Sequence, residues 1–210
     1  GDACTWLRIA DRLGVHLEQV GLHAAARQLR ERALERADRL DPPVPERVAK
    51  AALLLAESAL HDKQAEEGCR LLRRAIEIYE QMHGPEHRDS VAARANLAVA
   101  LTSAGRAAEG LPLMEQAVAA AERIYGPNHP TYAIDLGKLA TVYESLERYA
   151  EAAALLERAN EIRERSYGPE HPTTAAYIAN LAFMLKKLGQ TERARALFER
   201  ALAVDEKAYG

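Results

Sequence analysis

One five-residue phrase returns at a constant interval and constrains this chain more than any other feature. It reads Gly84-Pro85-Glu86-His87-Arg88, then Gly126-Pro127-Asn128-His129-Pro130, then Gly168-Pro169-Glu170-His171-Pro172. The three glycines stand 42 residues apart, and Gly210 falls one period further on. A fixed period of roughly 20 to 50 residues is the mark of stacked repeats, each burying its apolar face against its neighbours. Glycine suits the left-handed position just past a helix C-terminus, and an adjacent proline cannot continue that helix. Pro130 and Pro172 fit the first position of the next helix, where a missing N–H costs nothing, which puts His129 and His171 at the N-cap. Arg88 gives a weaker start signal in the remaining copy.

The same register runs through the whole sequence. Leu13, Leu55, Leu97, Leu139 and Leu181 form one column, and Gly14, Ala56, Ala98, Ala140 and Ala182 the next. Ala26, Gly68, Gly110, Ala152 and Ala194 form a second small column, and Ala33, Ala75, Ala117, Ala159 and Ala201 a third. A large apolar column holds Leu72, Met114, Leu156 and Phe198, with Leu29 expected to take that place in the first repeat by a one-residue slip. Small residues let helices approach closely and large ones fill the space between them. The pattern predicts five helical hairpins: about 4–20 with 22–40, 46–61 with 64–82, 89–104 with 107–124, 131–146 with 149–166, and 173–188 with 191–208. Gly21, Gly105 and Gly189 supply turns, Asp41-Pro42-Pro43-Val44-Pro45 fills the first inter-repeat loop, and Pro112 lies early in its helix, where a slight bend is expected. A single array over 1–210 is expected, with repeats near 1–42, 43–84, 85–126, 127–168 and 169–210.

Composition then excludes several function classes. The 210 residues are 48% hydrophobic, 28% charged and 5% aromatic, and the net charge is −3, so there is no electrostatic footprint for nucleic acid. The two cysteines, Cys4 and Cys69, sit in no motif, and reduced thiols in a cytoplasmic protein are expected. No apolar run reaches the ~18 residues of a membrane span. Glu and His are scattered without a nucleophile–base arrangement, and no phosphate loop, GxSxG or HExxH occurs, so no catalytic residue is expected. Equivalent histidines of stacked repeats (His87, His129, His171) would lie roughly 8–10 Å apart, whereas zinc ligands converge to ~2.1 Å from one ion. Turn formation is therefore their expected role, and neither a metal nor a cofactor is expected. Trp6 reads as packing within the first repeat, Tyr143 and Tyr149 as inter-helix packing, and His83, Tyr125, Tyr167 and Tyr209 as packing for the loops. The chain opens on Gly1-Asp2 without Met, which suggests a piece of a longer protein.

The columns resemble the tetratricopeptide repeat, with Asn180-Leu181-Ala182, Gly189, Ala194, Phe198 and Ala201 as its motif and equivalents in every repeat. The 42-residue period and the phrase "YGPEHPTTAAYIANLAFMLKKLGQTERARALFERALAVDEKAYG" are most similar to the kinesin-light-chain type, also common in bacterial multidomain proteins. The resemblance implies an all-α, right-handed superhelical solenoid of five helix-turn-helix repeats. It also implies a protein–protein interaction scaffold holding a peptide or protein partner on the concave face formed by the first helix of each pair. The alternative it allows is a sensor or self-assembly arm of a multidomain signalling NTPase or other effector enzyme, with self-association through exposed array ends.

In the family, the residue before the leucine of the Leu–small pair faces the groove, and asparagine there grips a ligand backbone. That column reads Arg12, Leu54, Asn96, Lys138 and Asn180. Asn96 and Asn180 match, while Leu54 interrupts the clamp. One turn earlier stand Arg8 and Lys50; one turn later Glu57, Thr141 and Phe183; near the helix ends Gln19, His61, Ser103, Ser145 and Lys187. Asn both donates and accepts, so it can satisfy an extended backbone without selecting a side chain. Arg8, Arg12, Lys50 and Lys138 make the expected groove locally basic and favour an acidic peptide or a C-terminal carboxylate; solvation and pairing with neighbouring Glu is the alternative for each. The Lys/Asn/Asn/Lys/Arg set of the co-chaperone type is not reproduced by any three consecutive repeats, which argues against chaperone-tail binding. Nucleic acid and membrane are not expected partners.

Overall fold

The computed structural model describes residues 3–40 and 44–209, with the side chains of Ala3, Cys4 and Tyr209 not described. The expectations for Cys4, the Tyr209 ring, Asp41–Pro43 and the terminal residues Gly1, Asp2 and Gly210 therefore lie outside the described residues. Ten helices are seen: α1 (Ala3–Gln19), α2 (His23–Asp38), α3 (Pro45–His61), α4 (Ala65–His83), α5 (Arg88–Ser103), α6 (Ala107–Tyr125), α7 (Pro130–Ser145), α8 (Tyr149–Tyr167), α9 (Pro172–Lys187) and α10 (Thr191–Tyr209). Among the described residues there is no strand, and the architecture is an all-α repeat solenoid of helix pairs.

The recurring phrase builds the joint between pairs. His87, His129 and His171 are N-caps in extended backbone, each accepting at Nδ1 from the amide two residues on, at 3.3, 3.1 and 3.2 Å. Pro130 and Pro172 open α7 and α9, where no N–H is missed. The ring preceding each glycine packs on the capping histidine, with centroids 4.4 Å apart for His83–His87, 5.2 Å for Tyr125–His129 and 5.3 Å for Tyr167–His171. One expectation changes. Gly84, Gly126 and Gly168 have positive φ (87°, 89° and 92°), but their ψ of 166°, 159° and 158° lies far from the left-handed helical region. That pairing of angles is essentially closed to residues with a Cβ. It directs the Gly84 and Gly168 carbonyls at the buried Ser90 and Thr174 hydroxyls, which donate at 2.8 and 3.2 Å.

By packing, the chain divides into two compact units, residues 1–104 and 105–210. In the first, α1 to α5 pack in sequential order on an alanine-rich core with Leu55, Leu71, Leu72 and Cys69 at its centre. Arg27 ties α2 to the C-cap of α3 and to α4, reaching Glu31 at 3.0 Å, Asp62 at 3.0 Å and Glu67 at 2.9 Å. In the second, one cluster joins Ala140, Leu156, Leu181, Met184 and Leu185 from α7, α8 and α9 to Ala194 of α10. Another joins Ala121, Tyr132, Leu136 and Ile162 from α6, α7 and α8, and a third sets Ile178 of α9 on Ala201 and Val204 of α10.

The large apolar column holds in the middle repeats, where Leu72, Met114 and Leu156 are at most 3% exposed. Its C-terminal end differs from expectation: Phe198, on the last helix described, is 39% exposed. In the Leu–small column Leu13, whose helix packs on α2 and marginally on α3, is likewise 44% exposed. The one-residue slip does not occur: Leu29 is only half-buried, and Arg30 occupies the in-register place at 2% exposure. Its guanidinium donates to Glu18 Oε2 at 2.8 Å and to Ser58 Oγ at 2.7 Å. Gly14 gives it room, since a Cβ there would stand 3.3 Å from Arg30 Nε. Two further arginines take core places, one by an ion pair and one against aromatic rings. Arg94 donates to Glu80 at 2.6 Å and to the Pro85 carbonyl at 3.2 Å, and Arg163 lies over the rings of Tyr177 (4.4 Å) and Tyr167 (5.3 Å).

Candidate functional site

The surface at issue belongs to the first helix of each pair, because the second helices carry the alanine columns that close against neighbours. In the first unit, Arg8, Arg12, Lys50 and Glu57 are exposed on α1 and α3, and Asn96 is half-buried on α5. Arg8 and Arg12 line one depression with Thr5 and Ile9, of about 220 Å³, and Arg8 donates to Thr5 Oγ1 at 3.3 Å. Lys50 is turned to Asp11 of α1 at 2.8 Å. That carboxylate offsets part of the positive charge expected here.

In the second unit, Thr141, Asn180, Phe183 and Lys187 are exposed and Lys138 is half-buried. Thr141 and Asn180 meet: both line a depression of about 100 Å³ on α7 and α9, floored by Gly137, Ala140, Leu156 and Met184 and edged by Glu144. The Thr141 hydroxyl donates to the Gly137 carbonyl of its own helix at 3.2 Å, so its oxygen can still act as an acceptor. Lys187 sits over the rings of Phe183 at 5.3 Å and Tyr149 at 5.8 Å, so its charge is held against an aromatic ledge. Lys138 lies 3.4 Å from Asp135, a buried carboxylate whose pKa burial raises against the opposing pull of that lysine.

Asp11, Asp135, Glu144 and Tyr149 belong to these surfaces and were not among the site residues expected from sequence. Asp135 and Lys138 carried a readable signal in their i,i+3 spacing on one helix. Asp11 and Lys50 did not, since their contact depends on how α1 packs beside α3. Other aromatic expectations fall away from the first-helix surface. Trp6 is half-buried under Arg36, whose guanidinium is 5.0 Å from the ring. Tyr143 donates to Glu115 at 2.9 Å and links α7 to α6. No helix among the described residues is long and apolar enough to cross a membrane.

Side chains displayed at one-turn intervals on alternate helices, over a core of small residues, define a helical-repeat recognition scaffold. The sequence profile described as "Tetratricopeptide repeat" matches residues 47–109, 91–165 and 137–207. The chain belongs to the tetratricopeptide repeat family and is of the kinesin light chain-like type. Similar solved structures include the nearly identical TPR-like repeats described as kinesin light chain from Podosopora anserina, at 26% identity and a TM-score of 0.78 over 97% of this chain and 96% of that one. BtubC (BKLC) from P. vanneervenii is similar at 20% identity and 0.79, over 99% and 90%. A Rap protein complexed with Competence and Sporulation Factor is similar at 17% and 0.82, covering 98% of this chain and 55% of that one. No curated protein matches by sequence. The tetratricopeptide repeat fold is typically a non-enzymatic scaffold for protein–protein interaction.

Proposed function

We propose that the chain captures a peptide or protein partner on its first-helix surfaces, with Asn180, Thr141, Phe183 and Lys187 as the principal contacts in the second unit. The observation that carries this reading is that Thr141 and Asn180 line one depression, with exposed Phe183 three residues past Asn180 on the same helix. A backbone amide set there is within reach of donor and acceptor groups, while an apolar side chain can cover the Phe183 ring. In the first unit, Arg8 and Arg12 supply the contact for an acidic side chain or a C-terminal carboxylate, and Asn96 supplies the amide clamp. Lys50 and Lys138 contribute less charge, because Asp11 and Asp135 face them. The solved Rap complex supports the reading by analogy, as a protein of similar fold bound to a named factor.

A photo-crosslinking amino acid at Thr141 or Phe183 tests it. Adducts with one partner are expected from these positions and not from Glu161 or Arg165 on α8; the reverse pattern would contradict the proposal. A second reading is an arm for self-assembly within a signalling enzyme. It is favoured by exposed Ile9, Leu13 and Val15 on α1, by exposed Val20 just past its end, and by Leu202 on α10, which is 59% exposed. Light scattering across a concentration series separates the two. A constant monomer mass leaves external capture, and a mass that doubles with concentration supports self-assembly.

A further inference from the structure

We propose that His83, His87 and Asp89 form a binding site for one zinc ion at the joint between α4 and α5. Their donor atoms all lie within 4.8 Å of one another. His87 Nδ1 stands 3.6 Å from Asp89 Oδ2, close to the ~3.4 Å that separates two donors at tetrahedral zinc with bonds of ~2.0–2.2 Å. The His83 and His87 rings are 4.4 Å apart and tilted by 32°. His83 is exposed, so its ring can turn a nitrogen toward the ion, while half-buried His87 and Asp89 are fixed by the first turn of α5.

The sister joints show that this set is not a by-product of the turn. At the place of His83 they carry Tyr125 and Tyr167, and at the place of Asp89 they carry Thr131 and Thr173. Those tyrosines do the stacking and those threonine amides are capped as Asp89 is, so the joint needs neither a second histidine nor a carboxylate. Only the 83–89 joint replaces both by metal ligands. The distance argument against an ion shared between repeats leaves this set untouched, because all three donors belong to one joint.

The chemistry is consistent. His87 Nδ1 is unprotonated, since it accepts from the Asp89 amide, so it can bind a metal without losing a proton once that hydrogen bond gives way. That cap is a single hydrogen bond of 3.3 Å, and the ion would take its place. His83 ends α4, where the helix carbonyl end favours a cation. Arg88 Nε lies 3.7 Å from Asp89 Oδ1, but its side chain is 69% exposed and can swing away. Two imidazoles and one carboxylate suit zinc and disfavour magnesium and calcium, which take all-oxygen sets. The remaining position is open to water.

Calorimetric titration of zinc chloride into the full chain, at about pH 7.5 where free imidazoles are neutral, tests the site. One zinc per chain is expected. His83→Tyr and Asp89→Thr import the sister residues, so helicity and metal-free melting should be unchanged while zinc affinity falls by about tenfold or more. Absence of saturable uptake by the natural chain, or equal affinity in either variant, would overturn the proposal. Imidazole proton NMR of the natural chain is independent of any substitution. Zinc should shift the His83 and His87 ring signals, and shifts confined to other histidines such as the stacked pair His23 and His61 would also overturn it.

Discussion

Lys63 and Glu147 stand in the turn column that Gly21, Gly105 and Gly189 fill elsewhere, and they hold the same positive φ, 60° and 58°. A side chain in that region costs roughly 1–2 kcal/mol, part of which glycine returns through its freer unfolded chain. Lys63→Gly and Glu147→Gly are each expected to raise stability by about 0.5–1 kcal/mol, read as a higher urea midpoint at unchanged slope; a lower midpoint would contradict the strain. The glycines of this column were legible because glycine advertises the conformation. The other two were not, since Lys and Glu give no local sign of it and only the 42-residue register points there. Asp135 makes a pH prediction. Burial raises its pKa above the ordinary 3.8. Between that value and the raised one, the folded chain keeps a proton that the unfolded chain has released, so this group's contribution to stability falls as pH rises through the window. Asp135→Asn should remove that fall and leave the chain more stable at neutral pH, measured by chemical unfolding at acid and neutral pH. An unchanged pH profile would show that the carboxylate is better solvated than its burial indicates.

The helices themselves were largely legible at the scale of the element. Pro130, Pro172 and the histidines before them mark α7 and α9 by chemistry that acts locally, and the observed ends fall within two residues of those expected. What local chemistry could not show was α2, where Arg30 takes the core place that its column gives to Leu72, Met114 and Leu156. An arginine in an apolar column reads as a break in register until Glu18, twelve residues earlier, and Ser58, on the next hairpin, are seen to close on it. A buried guanidinium is tolerated only with its partners in place. Glu18→Ala is therefore expected to destabilise by about 2 kcal/mol, below the full cost of breaking a buried pair because Glu18 is 30% exposed. Arg30→Leu, which restores the column residue and removes the charge altogether, should be near neutral or stabilising. If both lose stability equally in thermal melts, the site is held by packing of the arginine stem and not by its ion pair.

For the whole molecule, the period specified stacked repeats, and the Gly-Pro-x-His joint with its small and large apolar columns made each repeat a helical pair. The proposed recognition surface was legible in part. The columns placed Asn180, Thr141 and Phe183 on exposed first-helix positions, where the structure finds them. Charge was legible in part: Asp135 and Lys138 pair within one helix at i,i+3 spacing, whereas Asp11 meets Lys50 only after α1 packs beside α3, and both meetings reduce the basic character that the cations alone suggest. The central claim is that recognition runs through the first-helix asparagines and not through the folded frame. The most direct test is the affinity of the crosslinked partner for the natural chain and for the double variant Asn96→Ala, Asn180→Ala, with circular dichroism melts run on the same samples. The expected result is a loss of partner affinity of about tenfold or more, at one to two lost hydrogen bonds, with helicity and melting unchanged. Unchanged affinity, or a loss of binding that tracks a loss of helix, would contradict the claim.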